Sequence, residues 1–144
     1  VSWKVTDVDY KIIEREVGLY PLYKKELKDA VNNLILATPV HDDNGGGRSN
    51  IPSRPTEKIA MNLFENARIM QLRRYVEAIE FAYNKLDDEK QRFVTFIFWT
   101  KHDKNIQGVC KEFHIRYHTY WRWKKAFLLQ VGLITGIYRG DIYQ

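Results

Sequence analysis

Apolar residues three and four positions apart recur along most of this chain, and that spacing restricts it to helices that each bury one face. From Asp7 to Ala37 the pattern runs through Ile12, Ile13, Val17, Tyr20, Tyr23, Leu27, Val31, Leu34 and Ile35. Thr6 or Asp7 suits the N-cap. Gly18 and Pro21 interrupt the run, so the spacing predicts two short helices meeting there or one kinked helix. Lys24, Lys25, Lys28 and Asp29 read as its wet face. A segment of this kind is scaffold or a partner-binding arm, with dimerisation as the sharper alternative.

From Thr38 to Pro55 the periodicity gives way to Pro39, His41-Asp42-Asp43-Asn44, three glycines, Arg48-Ser49-Asn50, Pro52 and Pro55. Such a stretch has much backbone entropy and little to bury, which predicts a linker or loop. A triple glycine is also found in phosphate cradles, but the Lys-Ser/Thr that a Walker loop requires is missing. Thr56 is then expected as N-cap, with Glu57 facing the positive end of the helix dipole. Ile59, Leu63, Ile69, Met70, Leu72, Val76, Ile79, Phe81, Ala82, Tyr83 and Leu86 make an apolar stripe over about thirty residues. A helix so long needs a neighbour, either the N-terminal segment or another subunit. Asp87 or Asp88 caps a further helix carrying Phe93, Val94, Phe96, Ile97 and Trp99, closed by the charged run Lys101 to Lys104.

Hydrophobic content of 44% with 28% charged residues excludes wholesale disorder in a chain of 144 residues. No apolar run approaches the roughly 20 residues that span a bilayer. The opening Val1-Ser2-Trp3-Lys4 lacks the pattern of a secretory signal, and one cysteine excludes an internal disulfide framework. The expectation is a cytosolic chain with neither metal nor cofactor. Net charge is +5, and its placement is informative. Between Lys101 and Lys125 lie seven basic residues and two acidic ones, so this region carries the whole excess. A polyanion would meet one end of the protein, although a solvated helix face has a similar composition.

The same region fits the steric grammar of two helices crossing through a short turn. That arrangement wants a small residue on the first helix at the crossing, a residue tolerant of positive φ in the turn, and an aliphatic plug after it. Cys110, His114 and Ile115 fill these places, with Val109, Phe113, Tyr120, Trp123 and Phe127 facing inward. His114 stands where glycine is usual, and Arg116 takes an N-cap site that Ser or Thr would fill better. With Tyr120 and Trp123 turned in, Tyr117, His118, Trp121, Arg122 and Lys125 project outward from the second helix. Arg122 suits guanine O6 and N7, while Tyr117, His118 and Thr119 offer shorter polar or stacking contacts. Lys104, Lys111, Arg116, Lys124 and Lys125 are placed for phosphates.

No catalytic reading competes. Cys110 with His102, His114 and His118 suggests a thiol–imidazole pair, but the crossing position accounts for the cysteine more simply. Paired carboxylates with metal spacing, HExxH and Ser/His/Asp arrangements are all missing, so an enzyme is not expected. The predicted architecture is all-α: a helical bundle with a long central helix and a C-terminal helix-turn-helix. Its parts are an N-terminal helical segment over 1–38, a Gly/Pro-rich linker over 39–55, a helical domain over 56–132 with the helix-turn-helix at about 105–125, and a tail over 133–144.

The run Gly45-Gly46-Gly47-Arg48-Ser49-Asn50-Ile51-Pro52 with Arg54-Pro55-Thr56, then Tyr83-Asn84-Lys85-Leu86, Phe98-Trp99-Thr100 and Tyr120-Trp121-Arg122-Trp123, resembles the RinA-type transcriptional activators of Gram-positive phages. The residues from Leu86 to Lys125 are also similar to the promoter-reading region 4 of bacterial sigma factors. These resemblances imply a double-stranded DNA-binding activator of phage late genes, at work in the bacterial host cytoplasm and in contact with RNA polymerase. They also imply that Arg48 and Arg54 belong to an arm touching DNA or polymerase. The competing expectation is a small terminase subunit, a homo-oligomer that marks viral DNA for packaging.

Overall fold

The computed structural model describes residues 5–37 and 55–137, and for 34–37, 55–61 and 63 the backbone alone. Arg48 and Arg54, with the glycine run before them, lie outside the described residues, as do residues 138–144 of the tail. All regular structure among the described residues is helical, and the chain is an all-α bundle. The helices are α1 (Asp7–Gly18), α2 (Tyr20–Ala37), α3 (Pro55–Asn84), α4 (Asp88–Val94), α5 (Ile106–Phe113) and α6 (Tyr117–Thr135). α4 continues into a π-helical turn over Thr95–Trp99.

Local chemistry sets most of the boundaries. Thr6 caps α1 in a reciprocal box: its hydroxyl accepts from the Asp9 amide, and the Asp9 carboxylate accepts from the Thr6 amide at 2.8 Å. α1 ends at Gly18, and α2 begins at Tyr20 with Pro21 in its first turn. The interruption therefore makes two helices, because proline fits where no intrahelical N–H is needed. At α3 the sequence expectation needs correction. Pro55 is itself the first helical residue, so Thr56 lies inside the helix and does not cap it. Asp87 caps α4, accepting from the Lys90 amide at 2.9 Å. α6 runs past Gly132 to Thr135, where Gly136 stops it at φ +76°, so the tail begins later than the sequence suggested.

One core joins these pieces. Ile13 and Val17 of α1, Ile79 and Ala82 of α3, Phe93 and Val94 of α4, Val109 of α5, and Tyr120, Phe127, Leu128 and Val131 of α6 form a single buried cluster. The N-terminal segment is thus part of the bundle and no separate appendage. α2 lies along α3, and α1, α3 and α5 all pack on α6. Met70, Phe81 and Ile12 depart from the apolar pattern and remain exposed, because the stripe is wider than the neighbours that cover it.

The π-helical turn works as a hub. Its wider winding spreads three consecutive-region aromatics toward different elements. Phe96 stacks on His102 at 4.3 Å and meets Phe113 edge-on. Phe98 reaches Phe127, and Trp99 donates its indole N–H to the Val17 carbonyl at 2.8 Å. α1, α5 and α6 are thereby fixed relative to one another by one short segment.

Candidate nucleic-acid interface

Asn105 starts α5 by accepting the Gly108 amide at 2.9 Å. The end of α5 is a Schellman closure: the Ile115 amide donates to the Cys110 carbonyl at 3.0 Å and the His114 amide to the Lys111 carbonyl at 3.4 Å. His114 takes the left-handed conformation this requires, at φ 53° and ψ 43°. It is the only non-glycine residue with positive φ among the described residues, and it stands at the position the sequence marked for one. Arg116 then adopts the extended N-cap geometry of α6 without a side-chain cap bond. Two helices separated by three residues result, with Val109 buried between them and Cys110, Phe113 and Ile115 partly buried against the core.

Behind this turn Phe93 organises the packing. It is fully buried and meets Phe113, Tyr120 and Trp123 nearly edge-on, with ring centroids 5.4 to 5.6 Å apart. Tyr120 and Phe127 therefore point inward, and burial pushes the Tyr120 hydroxyl pKa above its ordinary value, with Glu14 adding to the shift. The opposite face of α6 is left to solvent. His118, Arg122 and Lys125, spaced four and three apart, line that face and are all exposed, and Tyr117 is 60% exposed at its start. Thr119 is half-buried.

The basic residues divide into two sets. Lys111, Arg116 and Arg122 are exposed and make no salt bridge among the described residues. Lys104 and Lys125 are exposed but already face carboxylates, Lys104 with Glu112 at 3.0 Å and Lys125 with Asp7 at 4.0 Å. Such exposed pairs exchange partners at little cost. Lys124 departs from the expectation of a free phosphate contact. Its side chain is only 12% exposed and is held by Glu14 of α1 at 2.7 Å, with its ammonium 5.1 Å from the Trp121 ring centre. Trp121 also differs from expectation, because it is half-buried and meets Tyr117 and Tyr120 edge-on, not standing free in solvent.

Glu14 is the residue that sequence reasoning missed. It lies about a hundred positions from its partner, and only the docking of α1 on α6 brings the two together. Nothing in local spacing signals such a pair. Among the described residues no group of three or more His, Cys, Asp or Glu is arranged to hold a metal ion, and no helix is long and apolar enough to cross a membrane.

What these helices present is an exposed ridge on α6 with cations at its foot and an acidic helix along one flank. No curated protein and no solved structure matches the chain. A family model does match, over residues 23–131, which covers α2 through most of α6. The chain belongs to the family described as "Protein of unknown function (DUF722)".

Proposed function

We propose that the protein is a sequence-specific double-stranded DNA-binding regulator that activates phage late genes, with α5 and α6 acting as a helix-turn-helix. One observation carries this reading: α6 exposes His118, Arg122 and Lys125 on one face directly after a tight turn, while Lys111 of α5 and Arg116 just before α6 are exposed and, among the described residues, in no salt bridge. A helix entering the major groove needs that combination, base-reading side chains on the outer face and cations for the flanking phosphates. Arg122 reads guanine through its paired N–H groups, and Tyr117, His118 and Thr119 contact neighbouring base edges. Lys111, Arg116 and Lys125 hold phosphates, and Lys104 joins them by leaving Glu112. The similarity to RinA-type activators supplies the late-gene context and RNA polymerase as a second partner.

Footprinting on the DNA around the chain's own gene and the neighbouring packaging genes, followed by anisotropy titrations, tests the proposal. Arg122→Ala is expected to cost about 1–3 kcal/mol at one base position and relax specificity there. Lys111→Ala is expected to weaken all sequences alike and lower the salt slope by about one ion. Loss of neither would remove α6 as the reading helix.

A second reading, a small terminase subunit, draws on the thirty-residue α3, which leaves Phe64 and Met70 exposed. Light scattering separates the two: a ring of about eight or more copies supports packaging, and a monomer or dimer supports transcription.

A further inference from the structure

We propose that the groove between α4 and the middle of α6 binds a small amphipathic anion, an apolar chain or ring carrying one carboxylate-like head. The groove has a volume of about 460 Å³. Leu86, Trp123 and Phe127 give it apolar walls, and Lys85, Lys90 and Arg122 are the charged residues that line it. Among the described residues no acidic side chain lines it. Lys85, exposed, sits over the Phe81 ring at 4.5 Å, and the half-buried Lys90 is 3.7 Å from the helix-capping Asp87 and 5.7 Å from the Trp123 ring centre, weak ties that an entering anion can replace.

Size decides between a small molecule and a protein segment. Along α6 the groove runs from Arg122 to Gln130, roughly 12 Å at the helical rise. A stable protein interface covers about 800 Å² per partner, far more than this groove offers, whereas its volume falls in the range of about 300–1,000 Å³ that holds single ligands. Charge then decides the ligand class. An apolar ligand alone would leave the three lining cations with only their weak present ties, and an anionic head gains charge-assisted hydrogen bonds from them.

Arg122 gives the site a consequence. It lines the groove and also stands on the outer face of α6, so an anion bound there draws it away from a base edge. That coupling rests on the DNA-binding reading; ligand binding itself does not.

Isothermal titration of the full chain with octanoate, and with octanol as its neutral counterpart, reads the binding directly. Octanoate is expected to bind one-to-one and about tenfold more tightly than octanol. Lys85→Ala combined with Lys90→Ala is expected to erase that preference. Ala126→Phe fills the groove from an exposed position and is expected to abolish binding of both ligands while the melting curve stays near that of the wild type. Equal affinity for the two ligands in the wild type, or undiminished octanoate binding by a folded Ala126→Phe chain, overturns the proposal. Promoter titrations with and without octanoate read the coupling: a fall in DNA affinity for the wild type and none for Ala126→Phe supports it, and an unchanged wild-type affinity overturns it. If octanoate binds as expected and no DNA is bound by any form, the proposed function fails and the ligand site stands.

Discussion

The two halves of this bundle are held together by different physics. Around α4, α5 and α6 the contacts are aromatic and dry, centred on Phe93 with three rings set edge-on about it. Between α2 and α3 an apolar row of Ile69, Leu72 and Val76 on α3 is bordered by polar contacts. Tyr20 donates to Glu80 at 2.7 Å, Lys24 reaches the same carboxylate at 3.3 Å and Arg68 pairs with Glu26 at 3.0 Å, while Tyr23 of α2 donates to Glu16 of the adjoining α1. Buried rings lose much when they separate, and exposed ion pairs lose little. The C-terminal helices therefore form a stiff platform for the α6 ridge, while the far end of the α2–α3 pair, where Phe64 and Met70 stay exposed, is the softer region.

The sharpest way to break this contrast is at its centre. Phe93→Ala removes the ring shared by three neighbours and is expected to cost about 3–5 kcal/mol in urea denaturation. A loss below about 1 kcal/mol would mean that the platform is held elsewhere, and the distinction between the halves would go with it. Next in size is the contact that ties α1 to the platform. Glu14→Gln leaves the largely covered Lys124 ammonium without its carboxylate and is expected to cost about 1–3 kcal/mol. On the DNA-binding reading the same change also frees a cation beside the ridge, so affinity for any duplex should rise as stability falls. A variant that lost stability and DNA affinity together would show that α1 supports the ridge and does not screen it.

How far the chain could be read in advance follows the same division. Helix positions were legible, and so were the caps Thr6 and Asp87, which act within three residues of themselves; the Asn105 cap went unread and Thr56 was misplaced. The turn was legible too, since a left-handed residue between two apolar runs is a local requirement that His114 meets. The Phe93 hub was half-legible: periodicity marked Phe93, Phe113, Tyr120 and Trp123 as inward, but not that one ring would meet the other three. Lys124 could not be read correctly. Its own helix places it beside Lys125 on a basic run, and its fate is decided by Glu14 on a helix that sequence spacing left unplaced. The π-helical turn was equally hidden, because Thr95–Trp99 shows ordinary helical spacing and only the packing of three neighbours favours the wider winding. Local chemistry was visible, and what two distant helices do to each other was not.

The smallest expected effects belong to the α2–α3 pair and sharpen the contrast by their size. Arg68→Ala breaks an exposed ion pair and is expected to cost no more than about 1 kcal/mol, fading further as salt is raised. The tyrosines of this region give a pH signature instead. Burial, then the bond to Glu16, pushes the Tyr23 hydroxyl above its ordinary value of 10.0, and burial does the same for Tyr20 and Tyr75. A pKa raised by folding means that the folded state favours the neutral hydroxyl. Its contribution is therefore complete below the unfolded value and is lost as pH climbs above about 10 toward the folded one. Urea melts at about pH 9, 10 and 11 should show stability falling across that interval, with a shallower fall in Tyr23→Phe, which has no proton to lose. Tyr120 is raised too, so part of the decline will persist in the variant. If Tyr23→Phe declined as steeply as the wild type, the hydroxyl bond from Tyr23 to Glu16 would carry none of the stability, and packing without that bond would hold α2 beside α1.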